Sequence, residues 1–547
     1  MSSHNPRADV HNGIVQHWSP HSTSHSPAVQ QPHINGHSHS RDHSFSHHVQ
    51  TPATPPPTED DERIWRDQAL NRRIMHAVEE NGITRPKGHR VSFHYNAHVE
   101  DMHFGKTHPM KPWRLTLTKH LVLGYGLQYA MDTHEAVAAG KDQVRAFHDP
   151  DYVDFLSEVS PQTFEKLSRN PRFAKYIPEK HPNFPDVVDL GPFNLSTSPG
   201  ADCPVFDGMS QYLFLYTGAT LAATNQLITG QSDIAINWSG GLHHAHKAEA
   251  SGFCYINDIV LAILDLLRLH PRVLYIDIDV HHGDGVEEAF QRQPRVMTLS
   301  FHRYGIYDET GHKFFPGTGD IADIGCRGTI GEHFALNVPI PSGIDDRQYK
   351  YLFENITQRA IDAYKPKAIV LQCGADSLGG DRLGQFNINI KQHGECVSFV
   401  KKQGLPLLIL GGGGYTARNV ARAWCHETAL ATDNGSNLPD RLPMHLIPRP
   451  QAFQGRAHGD GLLFPKFPRE HRNDCVEAEL EGMVKRVEME LRYVARAPWV
   501  VLDRLPPAGV MERIMGEVDE DLRQGREGRE RRRRERERDP GGIGELR

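Results

Sequence analysis

Six short apolar runs, separated by helical patterns, constrain this chain more than any other feature. V-S-F-H-Y (91–95), D-I-A-I-N-W (233–238), V-L-Y-I-D-I-D-V (273–280), V-M-T-L-S-F (296–301), A-I-V-L-Q-C (368–373) and L-P-L-L-I-L (405–410) read as strands. Most are near-continuously apolar, which a strand covered on both faces requires. Helical patterns at 253–269, 345–364 and 391–403 lie between them. Such alternation implies a parallel sheet with right-handed crossovers. In open α/β sheets, ligands bind beyond the carboxyl ends of the strands. There is no internal repeat.

The flanks have another texture. Residues 1–62 are His-, Ser-, Pro- and Gln-rich, with eleven histidines in the first 48 positions. So few apolar side chains cannot offset the chain entropy of folding, so a disordered tail is expected rather than a histidine metal store. The main folded domain is expected over 88–445, with a C-terminal extension over 446–515 that includes a helical stretch near 475–496. Residues 516–547 form a Glu/Arg tail whose R-R-R-R (531–534) is a weak import signal.

A net charge of −7 excludes a whole-surface nucleic-acid binder, and no direct sequence-specific binding is expected. Neither a secretory leader nor a membrane span is expected, since the most apolar stretch, I-V-L-A-I-L-D-L-L-R-L, carries Asp265 and Arg268. Seven scattered cysteines without a C-x-x-C pair favour free thiols in a reducing compartment.

The strand ends carry the chemistry. Asp277, Asp279 and His281 are two residues apart, so an extended chain presents all three on one side. Two carboxylates and an imidazole at a buried strand end are costly unless something binds them. A divalent metal fits: zinc, with iron, cobalt and manganese as alternatives. Asp376 ends another run, His243 and His244 follow a glycine pair, and Tyr415 follows four glycines. Singly these suit a helix cap, a polar loop and a turn. Jointly they suit catalysis.

These motifs resemble class I histone deacetylases: G-G-L-H-H, E-A-S-G-F-C-Y-I-N-D, Y-I-D-I-D-V-H-H-G-D-G-V-E-E-A-F, F-F-P-G-T-G-D, G-A-D-S-L-G-G-D-R-L-G and L-G-G-G-G-Y-T, with H-P-M-K-P-W-R at 108–114. The likeness runs from about 90 to 440, with an echo at A-R-A-P-W-V. It implies one large α/β domain of the arginase–deacetylase fold, an eight-stranded parallel sheet flanked by helices. By motif match, Asp279, His281 and Asp376 hold zinc. His244 serves as general base and then acid, and His243 is its electrostatic partner. Asp277 and Asp284 are the carboxylates behind the two histidines, and Tyr415 donates to the oxyanion. Gly252, Phe253 and Phe315 line the lysine channel, Leu383 forms its lip, and Asp202 is the rim acid. Asp277, Asp279, His281, Ser300 and Phe301 match a structural potassium site. His103, Lys111, Arg382 and Arg418 match a basic groove where inositol phosphate bridges to a SANT-domain corepressor.

The resemblance further implies acetylated histone tails as substrates, a multi-subunit host complex, a role in transcription repression, and the nucleus, with the cytoplasm as a second compartment. The rival readings are a deacetylase of acetylated polyamines or of non-histone proteins, a non-catalytic corepressor scaffold, and an arginase-like two-metal hydrolase. Leu383 argues against a cationic polyamine, which would favour an acidic lip. Three features depart from the pattern: a longer segment between Tyr304 and Phe314, an unusual approach to Asp202, and Trp113, read as a packing variant.

Overall fold

Eight strands form one sheet, all parallel, in the order β2-β1-β3-β8-β7-β4-β5-β6. They are β1 Val91–Tyr95, β2 Asp132–Glu135, β3 Ile234–Asn237, β4 Val273–Asp277, β5 Val296–Arg303, β6 Ala335–Ile340, β7 Ala368–Gln372 and β8 Leu407–Leu410. The computed structural model describes residues 59–179, 190–198, 200–306, 311–447, 449–494 and 515–528.

The six apolar runs all became strands. The two edges, β2 (D-T-H-E) and β6 (A-L-N-V-P-I), escaped notice. An edge strand pairs on one side only and tolerates polar residues and a proline, so its sequence carries little strand signal.

The run read as a strand over 273–280 stops at Asp277. Beyond it, Ile278 N still donates to Gln372 O at 3.1 Å, but carboxylate side chains take the alternate backbone N–H groups. Asp277 Oδ1 accepts from Asp279 N at 3.0 Å, Asp376 Oδ1 from Val280 N at 2.9 Å, and Asp279 Oδ1 from His281 N at 3.0 Å. The three polar groups converge because their own carboxylates fold the strand end.

The helices around the sheet include α1 Glu59–Glu80, α2 Trp113–Gly124, α3 Met209–Ile228, α4 Asp258–Leu266, α5 Asp284–Phe290, α6 Asp346–Tyr364, α7 Ile390–Lys401, α8 Ala417–Ala431 and α9 Glu477–Val494. The pattern over 253–269 becomes helical only at Asp258, where Asn257 caps the helix through Val260 N at 3.1 Å. That leaves 253–257 as a loop, with Phe253 at φ 66°.

Helix α1 begins at Glu59, inside the segment read as tail. Ile74 and Ala77 on α1 are buried, and so is Ile83 just after it. Thr84 N donates to Asn434 Oδ1 at 3.0 Å. In α9, Leu480, Val484, Val487 and Leu491 repeat at helical spacing and are buried. The rest of the tail read over 1–62, the A-R-A-P-W-V segment and R-R-R-R lie outside the described residues. Residues 515–528 form a separate exposed helix. Among the described residues, no helix is long and apolar enough to cross a membrane.

Candidate active site

Asp279, His281 and Asp376 meet beyond β4 and β7, all buried, with one ligand atom of each within 4.8 Å of the others. His281 Nδ1 lies 3.1 Å from both Asp279 Oδ1 and Asp376 Oδ2. Glycines make room for the carboxylates. A Cβ on Gly374 would stand 2.0 Å from Asp279 Oδ2, and one on Gly413 would stand 1.9 Å from Asp376 Oδ2. Burial opposes a charge on His281, yet the two carboxylates raise its pKa to about 10. A buried cluster of two carboxylates and one imidazole could hold a metal ion, and this oxygen–nitrogen donor set suits zinc.

Two histidine–carboxylate pairs stand beside it on the loop after β3. His243 Nδ1 donates to Asp277 Oδ2 at 2.8 Å, and His244 Nδ1 donates to Asp284 Oδ1 at 2.7 Å. A carboxylate accepts only, so each imidazole carries its proton on Nδ1. Burial resists a charge on His243, but Asp277 and Asp279 lift its pKa to about 9. Burial first, and then His243, push His244 down to about 3. The adjacent imidazoles therefore differ in charge, and His244 is the neutral one. Among the described residues its Nε2 has no hydrogen-bond partner.

Tyr415 follows the glycines after β8. Burial, with Asp376 and Asp279 nearby, drives its hydroxyl well above the usual phenol range, so it stays protonated. Two residues outside the sequence-predicted set hold its loop. Arg114, buried on α2, donates to Gly414 O at 2.7 Å and to Gly412 O at 2.6 Å. Asp381, also buried, accepts from Tyr415 N at 2.7 Å, Thr416 N at 3.1 Å and Leu383 N at 3.0 Å. Both lie inside motifs already singled out, but only the fold reveals their partners.

The residues matched to the channel lie beside the histidine pair and Tyr415. Phe253 meets Tyr415 edge-on at 5.7 Å, and Phe315 meets His244 at 4.9 Å. Phe314 stacks on His281 at 5.2 Å, a contact the sequence did not announce. Asp202 Oδ2 accepts from Gly252 N at 2.8 Å, and burial raises its pKa to about 6. Leu383 is half-buried against the same apolar cluster as Phe253.

A scan against family models matches "Histone deacetylase domain" over residues 108–431, more than half of the chain. The chain belongs to the histone deacetylase family. It is 45% identical to Histone deacetylase 9 of Arabidopsis thaliana over 418 residues, 76% of this chain and 89% of that protein. It is 43% identical to Probable histone deacetylase 1-B of Xenopus laevis, covering 79% of this chain and 81% of that one. To Histone deacetylase 1 of Homo sapiens it is 43% identical over 76% of this chain and 78% of that one. The chain is thus a hydrolase of the deacetylase class.

The remaining residues of this deacetylase fall into two groups. Register pairs Asp277 with Ser300 across β4 and β5, with Phe301 next to it, buried. Lys111 and Arg382 are close enough that, after burial, Arg382 is what lowers the Lys111 pKa. Lys111 Nζ also donates to Gly105 O at 2.8 Å, and His103 Nδ1 accepts from Gly105 N at 2.9 Å. Arg418 sits on α8 in the field of Arg422. Trp113, read as a packing variant, is 38% exposed. The longer segment after Tyr304 is pinched by an Ile306–Lys313 bridge, and residues 307–310 lie outside the described residues.

Proposed function

We propose that this deacetylase hydrolyses N6-acetyl-lysine on histone tails, with Asp279, His281 and Asp376 holding one zinc ion. The observation that carries the reading is the unequal pair His243 and His244 set beside a buried two-carboxylate, one-imidazole cluster. When bound, zinc supplies Lewis acidity to the acetyl carbonyl and to the attacking water. His244 accepts the water proton at Nε2, because Nδ1 is engaged by Asp284. His243, kept cationic by Asp277, supports the negative charge that develops. Tyr415 donates its hydroxyl hydrogen to the oxyanion. A protonated histidine then delivers a proton to the leaving lysine amine, and acetate and free lysine result.

Phe253 and Phe315 sandwich the neutral acyl-lysine stem, with Gly252 giving it room, Leu383 at the lip and Asp202 toward the substrate backbone. Potassium is held under the site by Asp277, Asp279, His281, Ser300 and Phe301, mostly through main-chain oxygens. The enzyme works in the nucleus within a corepressor complex. His103, Lys111, Arg382 and Arg418 bind an inositol phosphate shared with a SANT-domain subunit. Mutual repulsion between Lys111 and Arg382 supports an anion there. Inositol tetrakisphosphate added to the reconstituted complex should stimulate wild type but not Arg382→Ala/Arg418→Ala; equal stimulation would remove that partner.

Rates on an acetylated histone peptide and on acetylspermidine test the substrate class. The peptide should be preferred by orders of magnitude. Preference for the polyamine would overturn the reading, since Leu383 offers no carboxylate to an ammonium.

A further inference from the structure

Asp284 faces two histidines, one with each oxygen. Oδ1 accepts from His244 Nδ1 at 2.7 Å, while Oδ2 lies 3.8 Å from His246 Nε2. The other nitrogen of His246, Nδ1, is bonded to Glu288 Oε2, one turn further along α5. Exposure rises along this row: the side chains of His244, Asp284, His246 and Glu288 are 4%, 12%, 24% and 57% exposed. His246 is therefore a wedge between the buried carboxylate behind His244 and a solvated one at the surface.

We infer that protonated His246 is a positioning residue for deacetylation: its charge and its bond to Glu288 fix the orientation of Asp284, and through Asp284 that of His244. The inference rests on His244 as the general base. Oδ1 is shared between His244 Nδ1 and Gly285 N, the latter at 2.9 Å, so with nothing facing Oδ2 these two donors alone set the tilt of the carboxylate, and the imidazole it orients tilts with it. A cation beside Oδ2 fixes that tilt without competing for Oδ1. Such outer partners set the tautomer and orientation of the catalytic imidazole they stand behind.

The groups facing His246 are Asp284 and Glu288 on α5, Glu249 across a two-residue bridge, and His148. Three of the four are carboxylates. Burial disfavours a charge on His246, but Glu288 and Asp284 win, and its pKa rises to about 9. Because the folded pKa is raised, the charged form holds at neutral pH and is lost as the pH climbs through about 9. A lysine at 246 would keep the charge beyond that point, whereas a glutamine has none at any pH.

The test is steady-state deacetylation of an acetyl-lysine peptide by the zinc-loaded full chain between pH 7 and pH 10, comparing wild type with His246→Gln, His246→Lys and Glu288→Gln. At neutral pH, His246→Gln should lose about tenfold in kcat with KM little changed, and His246→Lys should recover most of it. Wild type should suffer the same loss as the pH rises and His246→Lys should not. Glu288→Gln, at an exposed position that tolerates change, should move the wild-type loss to lower pH. Equal defects in His246→Gln and His246→Lys would mean a packing role only, and would overturn the inference. So would an unmoved alkaline loss in Glu288→Gln, which stands even if a His246 variant fails to fold. His244→Ala is the control for the underlying reading: full activity there would remove the base itself, while its loss alongside a normal His246→Gln would remove only the wedge.

Discussion

Tyr415 shows how a single residue is made ready for the reaction. Its backbone N–H is tied to Asp381 Oδ2 at 2.7 Å, and Arg114 pins the carbonyls of Gly412 and Gly414. The hydroxyl is held protonated by burial and by two nearby carboxylates. Tyr415→Phe removes only the oxyanion donor and should lower kcat by roughly 10²–10³ with little change in KM. Wild-type turnover would mean the oxyanion needs no tyrosine. Arg114→Ala should act differently. It strands two buried carbonyls, each costing about 1–3 kcal/mol, so both the melting temperature and kcat should fall. Since Arg114 makes no contact with substrate in this account, a variant with normal stability and a selective KM defect would contradict its role as a loop anchor.

At the scale of elements, the strand carboxyl ends carry the chemistry and the helices fix their angles. The centre of the sheet was legible from sequence because β3, β4, β7, β8 and the first half of β5 are buried on both faces and largely apolar. The convergence of Asp279, His281 and Asp376 was legible because they sit where such strands end. The edges β2 and β6 were not, since Pro339 and the polar D-T-H-E satisfy an edge but announce no strand. Nor could spacing foretell that Asp381 and Arg114 share the loop of Tyr415, because both contacts join segments far apart in the chain. Helix α1 was missed too: its apolar face is short, and it gains stability only by docking. Val78 lies where a Cβ on Gly126 would stand 2.4 Å from it, so this glycine admits the helix. Ile74→Ala should lower stability by about 2 kcal/mol in denaturant unfolding and leave kcat unchanged. Removing residues 1–58 should likewise spare peptide deacetylation, because every wall residue named above lies between 202 and 415. A large loss of intrinsic activity after that deletion would contradict it.

For the whole molecule, the decisive quantity is the charge gathered in its interior. Asp277, Asp279 and Asp376 are fully buried, and histidines around them, His243 among them, are raised by their charge. A dication bound to the native state and not to the unfolded chain stabilises folding in proportion to the logarithm of its concentration over Kd, about 4 kcal/mol at a thousandfold excess. Removing zinc should therefore lower the melting temperature as well as activity. The most direct measurement is acetate release from an acetyl-lysine peptide by metal-stripped protein titrated with zinc. Activity should be absent at the start, rise linearly and level off at one zinc per chain, while Asp279→Ala and His281→Ala neither retain zinc nor recover. Full acetate release by the metal-free protein, or by either variant, would contradict a zinc centre at Asp279, His281 and Asp376.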